Sequence, residues 1–309
     1  MKTLVSILAA GGLALGPVAS VQAQDGAAVF KPAGNWVADF GDDYCRLSRN
    51  FSNGPEQVSL AFERLRPGAQ TGFVLVGNGI RTFRGADRLG YTLAPAHAER
   101  EARYVRSQTA EGKQYLNLGT ITLTPFAPPV PGARPAAPPK YDRAAEQAVA
   151  KGVTAIALSK GLTSPVRIET GELGAPVKVL QECADDLVKS WGIDPQAAMA
   201  LPQGPGLLPQ GTIPFTDFAK LGGGANQIRV MVDAAGKPTK CQVHQPTLAQ
   251  ALNDKICGLV MSKGQFVQGK NAAGQAVASY WIGSPLLLGP PPRGRGPGGA
   301  GSGVPGGEG

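Results

Sequence analysis

The sequence predicts an α+β protein with a strand-rich front domain and a small ββαβ module behind it. Three observations carry that reading. Apolar residues alternate with polar ones over residues 58–65 and again over 227–233, the period-2 mark of half-buried strands. A second short alternation follows the later one, then a single helical stripe, a glycine turn and a last strand. A proline- and alanine-rich stretch at 126–140 and glycine- and proline-rich ones at 196–224 and 289–309 divide the chain around these elements.

Taken from the front, residues 1–23 have the form of a cleavable secretory leader. Lys2 supplies the basic start, the apolar run 4–18 is broken by Gly11, Gly12 and Pro17, and Val21-Gln22-Ala23 place small residues before Gln24. The run is too short and too broken for a good membrane span. No cysteine follows it to take a lipid anchor. An exported chain with 4 cysteines predicts two disulfides. Of the three possible pairings, Cys241–Cys257 is expected because the two share one module, which leaves Cys45 with Cys183. No two cysteines have metal-ligand spacing and there are only 2 histidines, so no metal site is expected.

Residues 26–195 read as one strand-rich domain. Strands are expected at 36–40, 44–48, 58–65, 73–76, 104–106 and 115–123, with Val58, Leu60 and Phe62 on the buried face. A helix is expected at 95–104, with a Glu99–Arg103 pair on its side. The stretch 126–140 reads as an extended insertion. Beyond it come strands at 153–158 and 166–170, then a helix at 177–190 with Val179, Leu180, Cys183, Leu187 and Val188 on one stripe. The strings Asp39-Phe40-Gly41-Asp42-Asp43-Tyr44-Cys45 and Cys183 … Trp191-Gly192 resemble strings in exported proteins of Gram-negative bacteria, without an activity attached.

Residues 196–224 read as a linker, 225–287 as the back module and 289–309 as a disordered tail. In the module, Ile228, Val230 and Val232 share one strand face, and Gln227, Arg229 and Asp233 the other. Gly236 turns the chain into a partner strand at 239–243 that places Cys241 with Val243. Thr247 and Gln250 fit a capping box. Leu248, Leu252, Ile256, Leu259 and Val260 then recur at helical spacing, and Gly264 is the expected stop. Residues 271–274 turn the chain again into the last strand, 275–282. Cys257 lies beside the helix stripe, so a helix laid on the sheet brings it to Cys241. That bond adds roughly 3 kcal/mol in the chain-entropy model.

Signals for chemistry are sparse. There is no phosphate-binding glycine loop. Gly294, Gly296 and Gly299 match a dinucleotide fingerprint by letter only, in the tail with no helix after them. No nucleophile elbow occurs. His97 is expected on an exposed helix, and His244 ends a strand before Pro246. In Asp42-Asp43 and Asp185-Asp186 the neighbouring side chains diverge, so neither pair is set for shared acid–base work, though one member can act with a distant partner. No catalytic residue and no cofactor is expected. The net charge of +8 suits anionic lipid head groups, peptidoglycan or an acidic partner. The arginines at 46, 49, 64, 66, 81, 84, 88, 100, 103 and 106 are spread through strands, which reads as a solvated strand face rather than a nucleic-acid site.

The string Ile228-Arg229-Val230-Met231-Val232-Asp233, then Gly236-Lys237-Pro238-Thr239-Lys240-Cys241, Leu252-Asn253-Asp254, Phe266, and Gly274 through Tyr280, resembles a TonB C-terminal domain of the cysteine-bearing kind. The likeness covers residues 212–288. Phe218-Ala219-Lys220 stands where that family has tyrosine-proline, and Val267-Gln268 follow Phe266 where it has proline. The resemblance implies a periplasmic adaptor whose partner, an extended peptide or envelope protein, adds as a strand to an open sheet edge. The edge is then the last strand, with Ser279, Tyr280, Trp281 and Ile282 as the partner-binding residues and the two aromatics as anchors. The alternatives are an energy transducer for outer-membrane transport, which requires the leader to stay as an anchor, and a cell-envelope enzyme built from scattered residues.

Overall fold

Eleven strands of the front half form one sheet, and three of the back half form a second. The computed structural model describes residues 26–95, 97–124, 141–200, 212–214, 217, 227–244, 249–271 and 273–283. The leader, the 126–140 insertion, the tail, Thr247 and most of the linker lie outside the described residues.

The front strands are β1 (Ala28–Pro32), β2 (Val37–Phe40), β3 (Cys45–Ser52), β4 (Gln57–Arg64), β5 (Gln70–Val76), β6 (Arg88–Ala94), β7 (Arg100–Arg103), β8 (Val105–Gln108), β9 (Gln114–Thr122), β10 (Ala155–Leu158) and β11 (Val166–Ile168). Their order is β7-β6-β10-β11-β1-β3-β4-β5-β9-β8, with β2 beside β3. The two ends of that order are consecutive in the chain, separated only by Tyr104. β7 pairs with β6 while β8 pairs with β9. One run of residues therefore joins both ends, and the sheet curls into a barrel-like ring with no free edge there. Inward residues alternate: Phe62 faces Phe73 and Leu60 faces Leu75 across β4 and β5. Phe30, Phe51, Leu89, Leu93 and Leu116 complete the same apolar core.

Two helices cover the core, α1 (Arg143–Gly152) and α2 (Gly174–Ser190), followed by a short α3 (Pro195–Ala200). The Asp142 carboxylate caps α1 by accepting from the amides of Ala144 and Ala145. Cys45 of β3 is bonded to Cys183 of α2, with Cα atoms 5.9 Å apart. Arg64 ends β4 on the inward face and meets Glu146 of α1 at 2.5 Å, both side chains buried. Tyr141 and Gln181 each donate to the second oxygen of Glu146 at 2.7 Å. Two buried charges are tolerable here because each has its partner and its remaining hydrogen bonds.

Several expectations for the front are corrected. Residues 95–104 do not form a helix: 100–103 extend as β7, because β6 offers a ladder to complete. Glu99 binds Lys160 and Arg103 binds Asp87, so they do not pair with each other. His97 is buried rather than exposed, its ring 3.1 Å from Arg100. Burial first, and Arg100 second, hold its pKa below the usual imidazole range. Arg64 is core, not a solvated strand residue.

The back half runs β12 (Gln227–Val232), β13 (Pro238–His244), α4 (Gln250–Lys263), β14 (Gly269–Lys270), β15 (Ala276–Val277) and β16 (Ser279–Gly283). The sheet order is β13-β12-β16. On one face Ile228, Val230, Val232, Val243 and Trp281 pack against Ile256 and Val260 of α4. Cys241 and Cys257 are bonded across that layer, Cα atoms 5.5 Å apart. Gly236 turns the hairpin at φ +86°, where the Asp233 carboxylate accepts from the amides of Ala235 and Lys237. The helix starts later than a capping box at Thr247 implies: Ala249 is the N-cap residue, and its own side chain has no oxygen to cap with. Gly264 does end α4, at φ −71°. Its value is close approach, since a Cβ there would press on the Phe266 ring.

Candidate functional site

Most of the second face of the back sheet is covered, with Lys240 at its outer margin exposed. Gln227, Arg229 and Met231 of β12 share it with Gln242 and His244 of β13 and Tyr280 and Ile282 of β16, because these positions alternate with the α4-facing set. That face lies on the front domain. Tyr280 meets Trp191 edge-on at 5.4 Å and shares a cluster with Val188, Ile193 and Ala198. The Arg229 guanidinium lies 4.1 Å above the Trp191 ring. It also donates to Gln242 at 2.6 Å and to the carbonyl of Asp42 at 3.4 Å. Burial holds the Arg229 pKa below its ordinary value, against the pull of Asp43 and Asp42.

Beside that contact runs a chain of charges across the seam. Arg46 of β3 donates to Glu63 of β4 at 2.6 Å, the two being cross-strand neighbours. The other oxygen of Glu63 lies 3.5 Å from Nε2 of His244. Nδ1 of His244 lies 3.7 Å from Asp43, an ionic contact too long for a hydrogen bond. The Tyr44 ring packs beside the imidazole. Burial works against charge on His244, yet Asp43 and Glu63 outweigh it and hold its pKa above the usual value. Burial likewise opposes ionisation of Glu63, and His244 and Arg46 together outweigh it, so Glu63 stays below the ordinary carboxylate range. Asp43 is lowered in the same way by His244 and Arg229. An imidazole between two carboxylates is suited to carry both protons.

Next to His244 a cleft of about 510 Å3 opens between the two halves. From the front it is lined by polar residues that include Glu63, Arg66, Gln70, Arg103 and Asn117, by Gly72 and Gly119, and by the apolar Leu65, Tyr104 and Val105, and from the back by Gln227, His244 and Ile282. Gln70 and Gly72 of β5 and Asn117, Gly119 and Thr120 of β9 contribute to its lining. The ladder slips between Gly72 and Val74, and Gly72 pairs with Thr120. Gly119 sits at φ +69°.

The residues expected to receive a partner are placed differently from that expectation. Ser279, Tyr280 and Trp281 are buried. Trp281 packs on Phe266 within the module and Tyr280 on Trp191, so both aromatics are spent inside the protein rather than offered as anchors. Ile282 is half-buried and lines the cleft. The backbone rim is another matter: among the described strands β16 pairs only with β12. The charged trio Asp43, Glu63 and His244 was not singled out from sequence as a unit. Glu63 and His244 lie 181 positions apart, and the one available hint was a histidine closing a strand whose other members alternate.

Among the described residues no group of three acidic, histidine or cysteine side chains is placed for a metal, and no helix is long and apolar enough to cross a membrane. Two disulfides suit an oxidising compartment. No family model, curated protein or solved structure matches the chain.

Proposed function

We propose that this chain is an exported, periplasmic adaptor that binds an extended peptide or a segment of an envelope protein by strand addition to β16. The observation that carries this reading is the rim position of β16, which pairs on one side only among the described strands. The likeness of residues 212–288 to a TonB C-terminal domain supports the same edge, and so does the order β13-β12-β16 with one helix across one face. Backbone hydrogen bonds supply affinity in this mode, and pockets flanking the strand select sequence. Trp281 holds the edge strand from the α4 face and Tyr280 from the front-domain face, so selection falls to the surfaces beside it. A carboxylate held low, such as Glu63, is poorly placed to donate a proton, which lends no support to the enzyme reading.

The test uses the full chain. Peptides selected on it from a random display library are resynthesised with alternate backbone nitrogens methylated. Strand addition predicts that methylation on one parity weakens binding at least tenfold while the other parity is tolerated. A photo-crosslinking residue at the exposed Ala278, next to the rim, is then expected to capture the peptide. Equal tolerance of both parities sinks the proposal.

A further inference from the structure

We propose that the cleft at the seam is a binding site for the free carboxylate end of an extended peptide, with the Arg66 guanidinium as its partner. This deepens the strand-addition reading and rests on it. Ile282 belongs both to β16 and to the cleft wall. A strand laid along the outer rim of β16 and running parallel to it brings its carboxylate end toward the cleft.

The charge pattern points to an anion. Arg103 in the cleft is matched by Asp87 at 3.0 Å, and Glu63 is matched by Arg46 and His244. Arg66 differs. Among the described residues no carboxylate lies within ion-pair distance of it, and it donates to the Gln70 side chain at 3.4 Å. The Tyr280 hydroxyl is buried with no hydrogen-bond partner among the described residues, and burial raises its pKa while the charge of Arg66 works the other way. A planar guanidinium fork recognises a carboxylate through two parallel hydrogen bonds, a geometry that lysine lacks.

The shape points to a chain end. The volume of about 510 Å3 falls inside the usual range for small-ligand sites and is far too small for a folded partner. Two glycines form part of the lining. Glycine in a strand often marks close approach of another backbone. At Gly72 a Cβ would come within 3.2 Å of the Cβ of Glu63, its cross-strand neighbour, which also lines the cleft. Gln70, Asn117 and Gln227 bring side-chain amides to the walls, groups that recognise peptide rather than apolar surface.

The experiment is a titration of the full chain, labelled with nitrogen-15 glycine, with acetyl-trialanine as the free acid and as the amide. The expected result is saturable movement of the Gly72 and Gly119 amide signals by the acid, with the amide at least tenfold weaker. In Arg66→Gln the two probes become equal, and in Arg66→Lys part of the preference survives. Gln70→Glu places a carboxylate beside Arg66 and should block the acid while leaving the spectrum of the fold unchanged, so the proposal stays testable if Arg66→Gln folds badly. No movement with the acid, equal binding of acid and amide to the native chain, or displacement of the acid by equimolar inorganic phosphate each overturns it. Failure here with one-parity sensitivity to backbone methylation intact leaves strand addition standing. Loss of that sensitivity with the acid preference intact removes the strand reading instead.

Discussion

Replacing His244 by glutamine removes one charge from the seam and keeps most of the volume. His244 stands 3.5 Å from Glu63 and 3.7 Å from Asp43. At an effective dielectric near 20, each contact has a gross attraction of about 4–5 kcal/mol. Taking the imidazolium out of water returns most of that. Glu63 also keeps Arg46 at 2.6 Å, so the variant does not leave it unpaired. The net cost should therefore fall below that of breaking an isolated buried pair, at about 1–3 kcal/mol.

The sign with pH follows from the direction of the shifts. His244 has its pKa raised above 6.5 in the folded chain. Its contribution is complete below the unfolded value and is lost as pH rises through the folded one. Asp43 and Glu63 are lowered from 3.8 and 4.5, so theirs is complete above those values and is lost as pH falls through the depressed ones. Tyr44, Arg46 and Arg229, the other charged or titratable neighbours, stay in their usual forms across that window. Docking is thus strongest between the ordinary carboxylate and imidazole pKa values. Urea unfolding followed by Trp191 and Trp281 fluorescence, with hydrogen exchange along β13, measures it. The native chain should be more stable than His244→Gln at about pH 5.5, and the gap should shrink as pH rises through the folded imidazole pKa. Equal stability at the lower pH, or a gap that widens as pH rises, refutes the reasoning.

Two further outcomes test the frame. Arg64→Met leaves Glu146 buried without its cation and should cost about 3–5 kcal/mol in chemical denaturation, while adding Glu146→Leu should recover most of it. Removing the Cys241–Cys257 bond, with separation 16, should cost about 3 kcal/mol, against about 5 kcal/mol for Cys45–Cys183, with separation 138. Hydrogen exchange should then open the back module in the first variant and the β3–α2 contact in the second.

What could be read in advance follows from where the physics is local. The alternations at 58–65 and 227–233 and the α2 and α4 stripes are written in neighbouring residues, and they folded as strands and helices within a few positions. The Cys241–Cys257 bond followed from module membership, and Cys45–Cys183 from the two cysteines that pairing left over. The misses share one cause. β7 at Arg100–Arg103 has helix-forming composition and became a strand because β6 and the run into β8 needed it. α1 is alanine-rich with a weak apolar stripe, and its anchor is one buried glutamate meeting an arginine from another element. The charged seam was invisible for the same reason: its members come from β3, β4 and β13 and their loops, and nothing in any one segment marks them.

The polar face of β12 carries the last step. Gln227, Arg229 and Asp233 alternate with valines and isoleucine in the pattern of a solvent-facing strand, yet Arg229 is buried against Trp191 and Asp42. A polar face is compatible with burial when a matching polar surface meets it, and here the front domain supplies carbonyls, carboxylates and an aromatic ring. Both faces of the back sheet are therefore largely occupied, one by α4 and one by the front domain. Whatever the module binds must come to its rim or to the cleft where the two halves part. Because His244 lines that cleft while also tying the halves together, a ligand there shares residues with the docking contact. Its affinity and the docking of the module should then depend on pH together.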